Sequence, residues 1–428
     1  MRTTAYHCPC CGAPLSFSGA SAKLACDACG SSFDPEALEA MDPAQEKDGI
    51  EFDLPAEGFS TEEAAQMQGF NCKSCGAELM TDETSTATEC PYCGSPAILP
   101  DRIDGGVKPE KVIPFVVTKA EAQQKFADYF KGKRLLPNVF TKGSNHITEM
   151  RKLYVPYWLF DCDAHASIVY DAEKRHTERQ GEWEITRTEH YIVRRGGSMA
   201  FENIPVDGSA KLDNKITESL EPYDLSAAIP FQPAVLAGSM ADHADVDSAE
   251  CEGRAAERVE NSMADALRNS VSGYTVVTER SRHIHSEGGK VTPVLMPVWL
   301  ITTEKEGKTY TFAINGQTGK LTCDVPADKA KSLAWGGGVF ASVLGIAALI
   351  MALTDCLASG TLFLAAIGAL IVAMVVLGVL RGQLKQAKTQ STAGNYVRKD
   401  SFKLNVRFDH FLYENTQRRK IESEKPKE

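Results

Sequence analysis

Basic side chains are scarce at the start of this 428-residue chain. Its first 100 residues contain only Arg2, Lys23, Lys47 and Lys73, against sixteen acidic residues. That segment has a net charge of about −12 by this count, and the whole chain carries −11 with histidine neutral. Because nucleic-acid affinity comes mainly from Lys and Arg that neutralise phosphates, the charge disfavours a phosphate-driven interface in this segment.

Several enzyme signatures are also missing. The sequence has no G-x-x-x-x-G-K-[ST] phosphate loop, since the nearest segments, 105–108 and 316–320, have the wrong spacing. It has no Ser-His-Asp set, no G-x-S-x-G segment and no activated-cysteine motif. We therefore predict no catalytic residue, and we expect 316–320 to form a hairpin turn.

The opening sequence MRTTAYHCPC contains no apolar run of seven or more residues. A secretory signal peptide needs such a run. We therefore expect the N-terminal part to lie in the cytosol, where disulfides are rare.

Eight of the thirteen cysteines form Cys-x-x-Cys pairs in two copies of one motif. The spacing Cys-x2-Cys-x14-Cys-x2-Cys occurs twice, 64 residues apart, and a glycine follows each pair. Two such knuckles supply the four thiolates of a tetrahedral zinc site, and glycine allows the positive φ that a knuckle turn often needs. We predict one Zn²⁺ in each copy, two ions per chain. The predicted ligands are Cys8, Cys11, Cys26 and Cys29 in the first copy and Cys72, Cys75, Cys90 and Cys93 in the second.

Alternatives remain open for these cysteines. Iron binds four sulfurs in rubredoxin-like sites, and the sequence does not choose the metal. A disulfide frame is disfavoured by a reducing compartment. Cys10 is a fifth thiol, either a spare residue or one that exchanges with Cys8 or Cys11 or senses oxidants. His7 could replace a ligand, but the second copy has Asn71 at that position.

Residues 107–325 have the composition of a strand-rich domain. Segments rich in aromatic and β-branched residues predict strands at 153–173 and 182–195. The segment from 274 onwards predicts an antiparallel meander. Its turns are expected at 288–289, 306–307 and 315–316.

Helix starts are marked by two Ser/Thr-x-x-Glu capping boxes. Ser60 with Glu63 predicts a short helix, and Thr118 with Glu121 predicts an amphipathic one. A longer helix is predicted at 247–270, where an apolar residue recurs at every fourth position.

Two long runs without a charged residue follow, at 333–353 and 356–380. At about 1.5 Å per residue, either run can cross a hydrocarbon core of about 30 Å. Thr354 and Asp355 alone separate them, so they predict a transmembrane hairpin with Asp355 on the far side. Basic residues flank the hairpin, which places both flanks in the cytosol. These are Lys329, Lys331, Arg381, Lys385 and Lys388.

The cysteine motifs at 6–34 and 70–98 resemble zinc ribbons of the TFIIB type, and CPYCG at 90–94 has the C-P-x-C-G form typical of them. The segments VIPFVVTKAEA, KGKRLLPNVF and LYVPYWLFD, together with the hairpin, are similar to a family of uncharacterised bacterial membrane proteins with N-terminal zinc ribbons. Such proteins are sometimes labelled primosomal protein N-prime, a superfamily II helicase. The ribbons account for that label, because this chain lacks the phosphate loop of a helicase.

Some smaller polar groups have two interpretations. Asp161, Asp163 and His165 would share one face of a strand, as a metal or acid–base site or as a solvent-facing edge. His283 and His285 alternate in the same way. For the first group the sequence favours a polar, solvent-facing edge beside a buried aromatic face. For the histidine pair it favours solvent exposure, because no third ligand is placed beside it.

Two basic clusters complete the inventory. Lys131, Lys133 and Arg134 follow a predicted helix, where they could contact phosphate or lipid but also suit the helix dipole. The segment 381–428 contains twelve basic and six acidic residues, so it could contact anionic lipid or simply enforce the membrane topology.

We therefore predict a multidomain protein with two tandem zinc ribbons of four cysteine ligands each, an α+β domain of mainly antiparallel β structure, and a C-terminal two-helix transmembrane hairpin. The predicted organisation is zinc ribbon 1 at 1–34, an acidic linker at 35–66, zinc ribbon 2 at 67–100, the β-rich cytosolic domain at 107–325, the transmembrane hairpin at 332–381 and a basic cytosolic tail at 382–428.

The predicted function is that of a non-enzymatic adaptor that docks a protein partner at the membrane. It would be a two-span membrane protein with both termini cytoplasmic. A nucleic-acid-binding role in transcription or replication is the alternative, which the acidic ribbon half disfavours. An enzyme with an unrecognised site in 107–325 is the third.

Overall fold

A computed structural model of the chain defines the fold. It describes residues 8–420 except 9–12, 19–22, 29, 31, 34, 36–48, 51, 54–57, 65, 83–88, 97, 102–106, 139–149, 306–307, 324, 326, 355–358 and 385–386. The strands are β1 Ser16–Ser18, β2 Lys23–Ala25, β3 Ser32–Phe33, β4 Met67–Cys72, β5 Glu78–Asp82, β6 Ile98–Asp101, β7 Lys111–Val112, β8 Arg151–Gln180, β9 Trp183–Asp207, β10 Ile229–Pro230, β11 Met240–Asp242, β12 Val276–Lys305, β13 Lys308–Asn315, β14 Leu321–Cys323 and β15 Lys403–Lys420. The helices are α1 Thr61–Ala64, α2 Lys119–Phe130, α3 Asn214–Leu220, α4 Ser248–Asn269, α5 Lys329–Leu353 and α6 Ser359–Gly382.

The strands form two sheets in the described part of the chain. β1, β2 and β3 form a small antiparallel sheet. The second sheet, of twelve strands, is built on β8, which pairs antiparallel with β9 and with β12. β15 extends it beyond β9, and β13 and β14 extend it beyond β12. The first residues of β8 pair in parallel with β11, which pairs with β5, so β4, β5 and β6 belong to this sheet too.

Strand β8 has one face of small and apolar side chains. Cys162, Ala164 and Ala166 alternate with more exposed neighbours and lie in the core. Helix α4 covers this face. Its bounds confirm the helix predicted at 247–270, and the combination of sheets and helices confirms the α+β class. The helix residues that contact the sheet here include Ala255, Val259, Met263 and Leu267, all fully buried.

The turn predicted at Gly288-Gly289 is wrong. β12 runs through these glycines as one strand, and its pairing with β8 continues on both sides of a bulge between Glu287 and Lys290. The carbonyl of Gly289 accepts a hydrogen bond from the amide of Asp53 at 3.0 Å. Backbone pairing with the long β8 therefore outweighs the local turn signal, and the glycines accommodate the bulge.

The hairpin predicted at 316–320 is confirmed, whereas the turn predicted at 306–307 lies outside the described residues. β13 and β14 pair antiparallel on either side of 316–320. Asn315 Oδ1 accepts hydrogen bonds from the amides of Gln317 at 2.8 Å and Thr318 at 2.9 Å, which closes the turn. Lys320 Nζ donates to the backbone carbonyl of Glu221, so this lysine is fixed in the fold.

Both predicted capping boxes are present. At α2, Thr118 Oγ1 accepts from the amide of Glu121 at 3.3 Å, and the Glu121 carboxylate accepts from the amide of Thr118 at 2.8 Å. At α1, Ser60 and Glu63 make the same reciprocal bonds at 3.3 and 3.2 Å. Each box satisfies two amides that a helix start leaves unpaired.

Helices α5 and α6 are each long and apolar enough to cross a membrane. The hydropathy windows of the two helices are 0% and 11% buried, so neither is a core helix of the sheet domain. They contact each other through small residues, since a Cβ on Gly336 would lie 2.7 Å from Leu377 Cδ1 and Ala369 and Ala373 are buried. The predicted turn residue Asp355 lies outside the described residues.

Both ends of this hairpin join the sheet domain at one place. Before α5, the amide of Asp328 donates to the carbonyl of Leu135 at 2.8 Å. After α6, the amide of Ala387 donates to the carbonyl of Cys323 at 3.3 Å. The two flanks of the hairpin therefore lie on the same side of it.

Residues 403–420 of the predicted tail form β15. This strand pairs antiparallel with β9 over its full length. Arg195, fully buried, forms an ion pair with Asp409, and Tyr274 donates its hydroxyl to the same carboxylate at 3.0 Å. The ladder and the ion pair of the buried Arg195 hold this part of the chain against the domain.

Candidate metal centre

Four sulfur atoms converge beside strands β4 and β5. Cys72 and Cys75 lie at the turn between these strands, and Cys90 and Cys93 lie before β6. All four Sγ atoms are within 4.8 Å of one another, with Cys72–Cys93 at 3.7 Å and Cys75–Cys90 at 3.6 Å. Sulfurs on a tetrahedral zinc with bonds of about 2.3 Å lie about 3.8 Å apart. These four side chains could hold one metal ion.

Backbone hydrogen bonds shape both knuckles. The amides of Cys72 and Cys90 each donate to the carbonyl five residues later, at 2.9 Å. The amides of Gly76 and Gly94 donate back to these cysteines at 2.7 and 2.9 Å. Gly76 has φ of +69° and Gly94 of +73°, a conformation that a Cβ disfavours. This geometry explains the glycine after each cysteine pair.

The thiols lie in different electrostatic surroundings. Burial opposes ionisation of Cys72, but the amides of Cys75 and Ser74 lower the pKa of its thiol to about 7. Burial raises the pKa of Cys90, so this buried thiol needs a cation to become a thiolate. Lys211 donates its Nζ to the carbonyl of Cys75 at 3.2 Å, which places a positive charge beside the knuckle.

Ribbon 2, defined as residues 67–100, is built into the large sheet. Cys72 and Cys90 are fully buried in one core cluster with Leu153 and Val155 of β8. Tyr92, between the last two cysteines, donates its hydroxyl to the buried carboxylate of Asp242 at 2.5 Å. Ser209 donates to the same oxygen at 2.5 Å. The sulfur cluster is therefore part of the core of the β-rich domain.

Ribbon 1, defined as residues 1–34, repeats the knuckle pattern where it is described. The amide of Cys8 donates to Ala13 at 2.7 Å and that of Gly30 to Cys26 at 2.9 Å, matching the bonds in ribbon 2. Cys8 and Cys26 are buried, and Gly30 has φ of +72°. The other predicted ligands, Cys11 and Cys29, lie outside the described residues, as do Cys10 and His7.

The aspartates and histidines of β8 do not form a second cluster in the described part of the chain. Asp161 accepts from the amide of Asn203 at 2.5 Å. Asp163, exposed, forms an ion pair with Arg398 at 2.9 Å. His165 stacks on His285 of β12 with ring centroids 5.3 Å apart. The carboxylates are thus engaged by neighbouring backbone and side chains.

The basic cluster after α2 contacts the hairpin. Lys133 Nζ donates to the carbonyl of Gln383, after α6, at 2.9 Å. The guanidinium of Arg134 lies 4.4 Å from the ring centroid of Trp335 in α5. Two of the three cations therefore attach the domain to the helices, while Lys131 pairs with Asp128 at 2.5 Å.

Sequence patterns missed a buried polar network below α4. Arg258 and Glu221, both 3% exposed at the side chain, form an ion pair at 2.7 Å, and Tyr396 donates its hydroxyl to the same Glu221 oxygen at 2.7 Å. Burial raises the pKa of Glu221, and Arg258 opposes this shift. One turn further back, Arg254 binds Glu218. Because Tyr396 follows the hairpin, the network fixes the chain where it returns from α6.

The sequence analysis also missed the residues that hold ribbon 2, because they are distant from its cysteines in the chain. Asp242, Ser209 and Lys211 come from β11 and the connection after β9, and they carry no motif. The one local signal was the tyrosine in CPYCG, whose counterpart in ribbon 1 is the exposed Ala28.

Comparison with known proteins adds a relative. The chain is 34% identical over 334 residues to the uncharacterised protein YdjG of Bacillus subtilis (strain 168), which covers 78% of this chain and 93% of that protein. The chain belongs to the YdjG family. No family model matches the chain, and no solved structure matches it.

Proposed function

We propose that this chain is a membrane-anchored, cytosol-facing protein that holds one zinc ion in each of two ribbons and works as a non-enzymatic adaptor. The observation that carries the proposal is the set of four converging sulfurs at Cys72, Cys75, Cys90 and Cys93. Four protein ligands complete a tetrahedral site, whereas a catalytic zinc keeps one position open for water or substrate. The zinc therefore serves the fold.

The proposal of a second zinc ion, in ribbon 1, is supported by the repeated cysteine motif. Cys8 and Cys26 are buried, and their backbone hydrogen bonds match those of ribbon 2. The proposed ligands of this ion are Cys8, Cys11, Cys26 and Cys29. Metal analysis of the purified chain tests the assignment: we expect two zinc ions per chain and no iron.

The proposed membrane attachment is supported by the two apolar helices α5 and α6. Basic residues lie at the domain end of both helices, and the positive-inside rule assigns that end to the cytosol. The ribbons and the β-rich domain would then face the cytosol, where thiols stay reduced. Reporter fusions check this topology: a fusion at the C-terminus should report cytosol and one inserted at Asp355 the opposite side.

Ribbon 1 offers the partner surface. Phe17 on β1 is 63% exposed, while the core of this ribbon is built from Cys8, Leu24, Cys26 and Phe33. An exposed aromatic side chain suits protein docking, since aromatic residues are enriched at interface centres. Basic side chains are too few here to attract phosphates.

A photo-reactive amino acid at Phe17 tests the adaptor role in intact membranes. We expect a crosslink to one discrete protein, and we expect Cys26→Ser to abolish it by releasing the metal of ribbon 1. The matched control is the same photo-reactive residue at Val116, which is 64% exposed on the β-rich domain and should give no such product.

Two outcomes would overturn the adaptor proposal. One is that the photo-reactive residue at position 17 gives the same crosslinked products as the control at position 116. The other is micromolar or tighter nucleic-acid binding by the zinc-loaded full chain, with an affinity that falls steeply with salt, which would favour the nucleic-acid alternative.

A further inference from the structure

A pocket of about 500 Å³ lies where the hairpin meets the sheet domain. Its walls come from the segment before α5, from the first turns of α5 and from the last turns of α6. Gly336 and Leu377 bring the two helices together immediately beyond it. The pocket is therefore at the domain end of both helices.

The lining combines apolar walls with two cations. Val325, Ala327, Leu333 and Leu377 supply apolar surface. Leu333 is 79% exposed, so one wall opens towards the outer surface of the helices. The cations are Lys329, at the start of α5, and Arg381, at the end of α6.

A buried hydroxyl completes the pocket. Ser332 is 5% exposed and its Oγ has no hydrogen-bond partner among the described residues. A buried hydroxyl without a hydrogen-bond partner destabilises a fold, so an acceptor from a ligand would stabilise it. Ser332 lines the same pocket as the two cations.

The two cations are available for a ligand. The neighbouring Lys331 is already engaged, since its Nζ donates to the carbonyl of Leu136 at 2.6 Å and to Asn138 at 2.7 Å. In the described part of the chain, Lys329 and Arg381 have no acidic partner. The pocket therefore has a surplus of positive charge beside apolar walls.

We propose that this pocket binds one anionic phospholipid of the cytoplasmic leaflet. Lys329 and Arg381 bind the phosphate, Ser332 donates its hydroxyl to a lipid oxygen, and an acyl chain lies along Leu333 and Leu377. A phosphate alone would leave the apolar walls uncovered, and an apolar peptide would leave both cations unpaired, so a molecule with both parts fits best. The inference rests on the proposed membrane insertion of α5 and α6.

The test uses the full chain, purified in a neutral detergent and depleted of lipid. Phosphatidylglycerol and phosphatidylcholine are titrated separately, and the bound lipid is counted by native mass spectrometry. We expect one phosphatidylglycerol bound at least about tenfold more tightly than phosphatidylcholine. The double variant K329Q/R381Q should weaken phosphatidylglycerol about tenfold or more, and S332A should weaken it by about threefold.

The matched control is R418Q/R419Q, which removes the same charge from the exposed end of β15 and should keep the affinity within twofold. Equal affinity for the two lipids, or an unchanged K329Q/R381Q, would overturn the lipid site. Displacement of the lipid by millimolar inorganic phosphate would show that the site takes a free anion, which also overturns it.

Carbonate extraction separates this inference from the anchor itself. If the wild-type chain resists extraction but shows no lipid preference, only the lipid site fails. If the wild-type chain is extracted, the proposed membrane insertion fails and the lipid site fails with it.

Discussion

The two ribbons have the same cysteine spacing but differ in how they are attached. Ribbon 2 shares a sheet with β8 through β11, and its cysteines lie in the main core. Ribbon 1 forms its own sheet of three strands, with Leu412 of β15 packed against its small core. A duplicated cysteine module can thus become part of a domain in one copy and stay an accessory in the other.

The attachment points also lie far apart. β11 meets β8 at Leu153 and Tyr154, and Ala387, just after the hairpin, packs on the core cluster that contains Leu153. Leu412 lies beside the residues of β9 that pair with Ala172, further along β8. The separation is about 20 residues, or about 65 Å of strand. Ribbon 1 therefore lies at the end of the domain distant from the hairpin, which suits a docking role.

The largest effect is expected from Cys90→Ser. This change removes a ligand of the proposed ribbon 2 metal, and the vacated site opens the core that includes Leu153 and Val155. We expect the loss of one metal ion and a fall of at least about 3 kcal/mol in the free energy of unfolding of the β-rich domain. Metal analysis and denaturant unfolding followed by tryptophan fluorescence measure both.

The control is Cys251→Ser, which alters a buried cysteine of α4 outside the sulfur cluster and should leave both ions bound. An unfolding free energy that stays at the wild-type value in Cys90→Ser would show that ribbon 2 is not part of the domain core.

The next effect is expected from Tyr92→Phe. It removes a donor from the buried carboxylate of Asp242, and leaving a buried acceptor short of a partner costs about 1–3 kcal/mol. The free energy of unfolding should fall by this amount with both ions retained. In the wild-type chain Tyr191 donates its hydroxyl to the less buried Glu189. Tyr191→Phe should therefore lower the free energy of unfolding by less. Equal losses in the two variants would contradict the assigned role of Tyr92.

A smaller effect on the domain is expected from Cys26→Ser. It should remove the metal of ribbon 1, yet change the free energy of unfolding of the β-rich domain by less than about 1 kcal/mol, because ribbon 1 has its own core. The same metal analysis and unfolding curves apply. A loss as large as that of Cys90→Ser would show that the two ribbons are equally integrated.

The smallest effect is expected from Leu412→Ala. A half-buried leucine contributes little to the domain, but this side chain of β15 packs on the core of ribbon 1. Hydrogen exchange should become faster at Leu24 and stay unchanged at Tyr191. Phe411→Ala is the control, because Phe411 contacts Tyr191 of β9 and not the core of ribbon 1. It should leave the exchange at Leu24 unchanged. Unchanged exchange at Leu24 would show that ribbon 1 is not attached through Leu412.

Local signals predicted much of the molecule. The reciprocal bonds of Ser60–Glu63 and Thr118–Glu121 involve residues three positions apart, so the sequence contains both partners. The four sulfurs of ribbon 2 come from two short turns, and their spacing predicts the cluster. The length and hydropathy of α5 and α6 likewise depend only on the residues within each helix. Each of these features depends on neighbours in the chain.

Other features need partners that are distant in the chain. Gly288 and Gly289 suggest a turn, but β8 supplies a backbone partner on both sides and the strand continues. The buried pair of Arg258 and Glu221 shows no spacing that a motif search would find.

The knuckles of ribbon 2, the capped helices and the apolar helices α5 and α6 could be predicted from sequence, because each depends only on residues close in the chain. Contacts between distant segments determine that ribbon 2 joins the large sheet while ribbon 1 forms its own, and that the segment after the hairpin returns to the domain as β15. Sheet edges, buried ion pairs and pockets depend on which distant segments meet. That choice is made by the combined packing of β8, β9 and β12, which no single stretch of sequence contains.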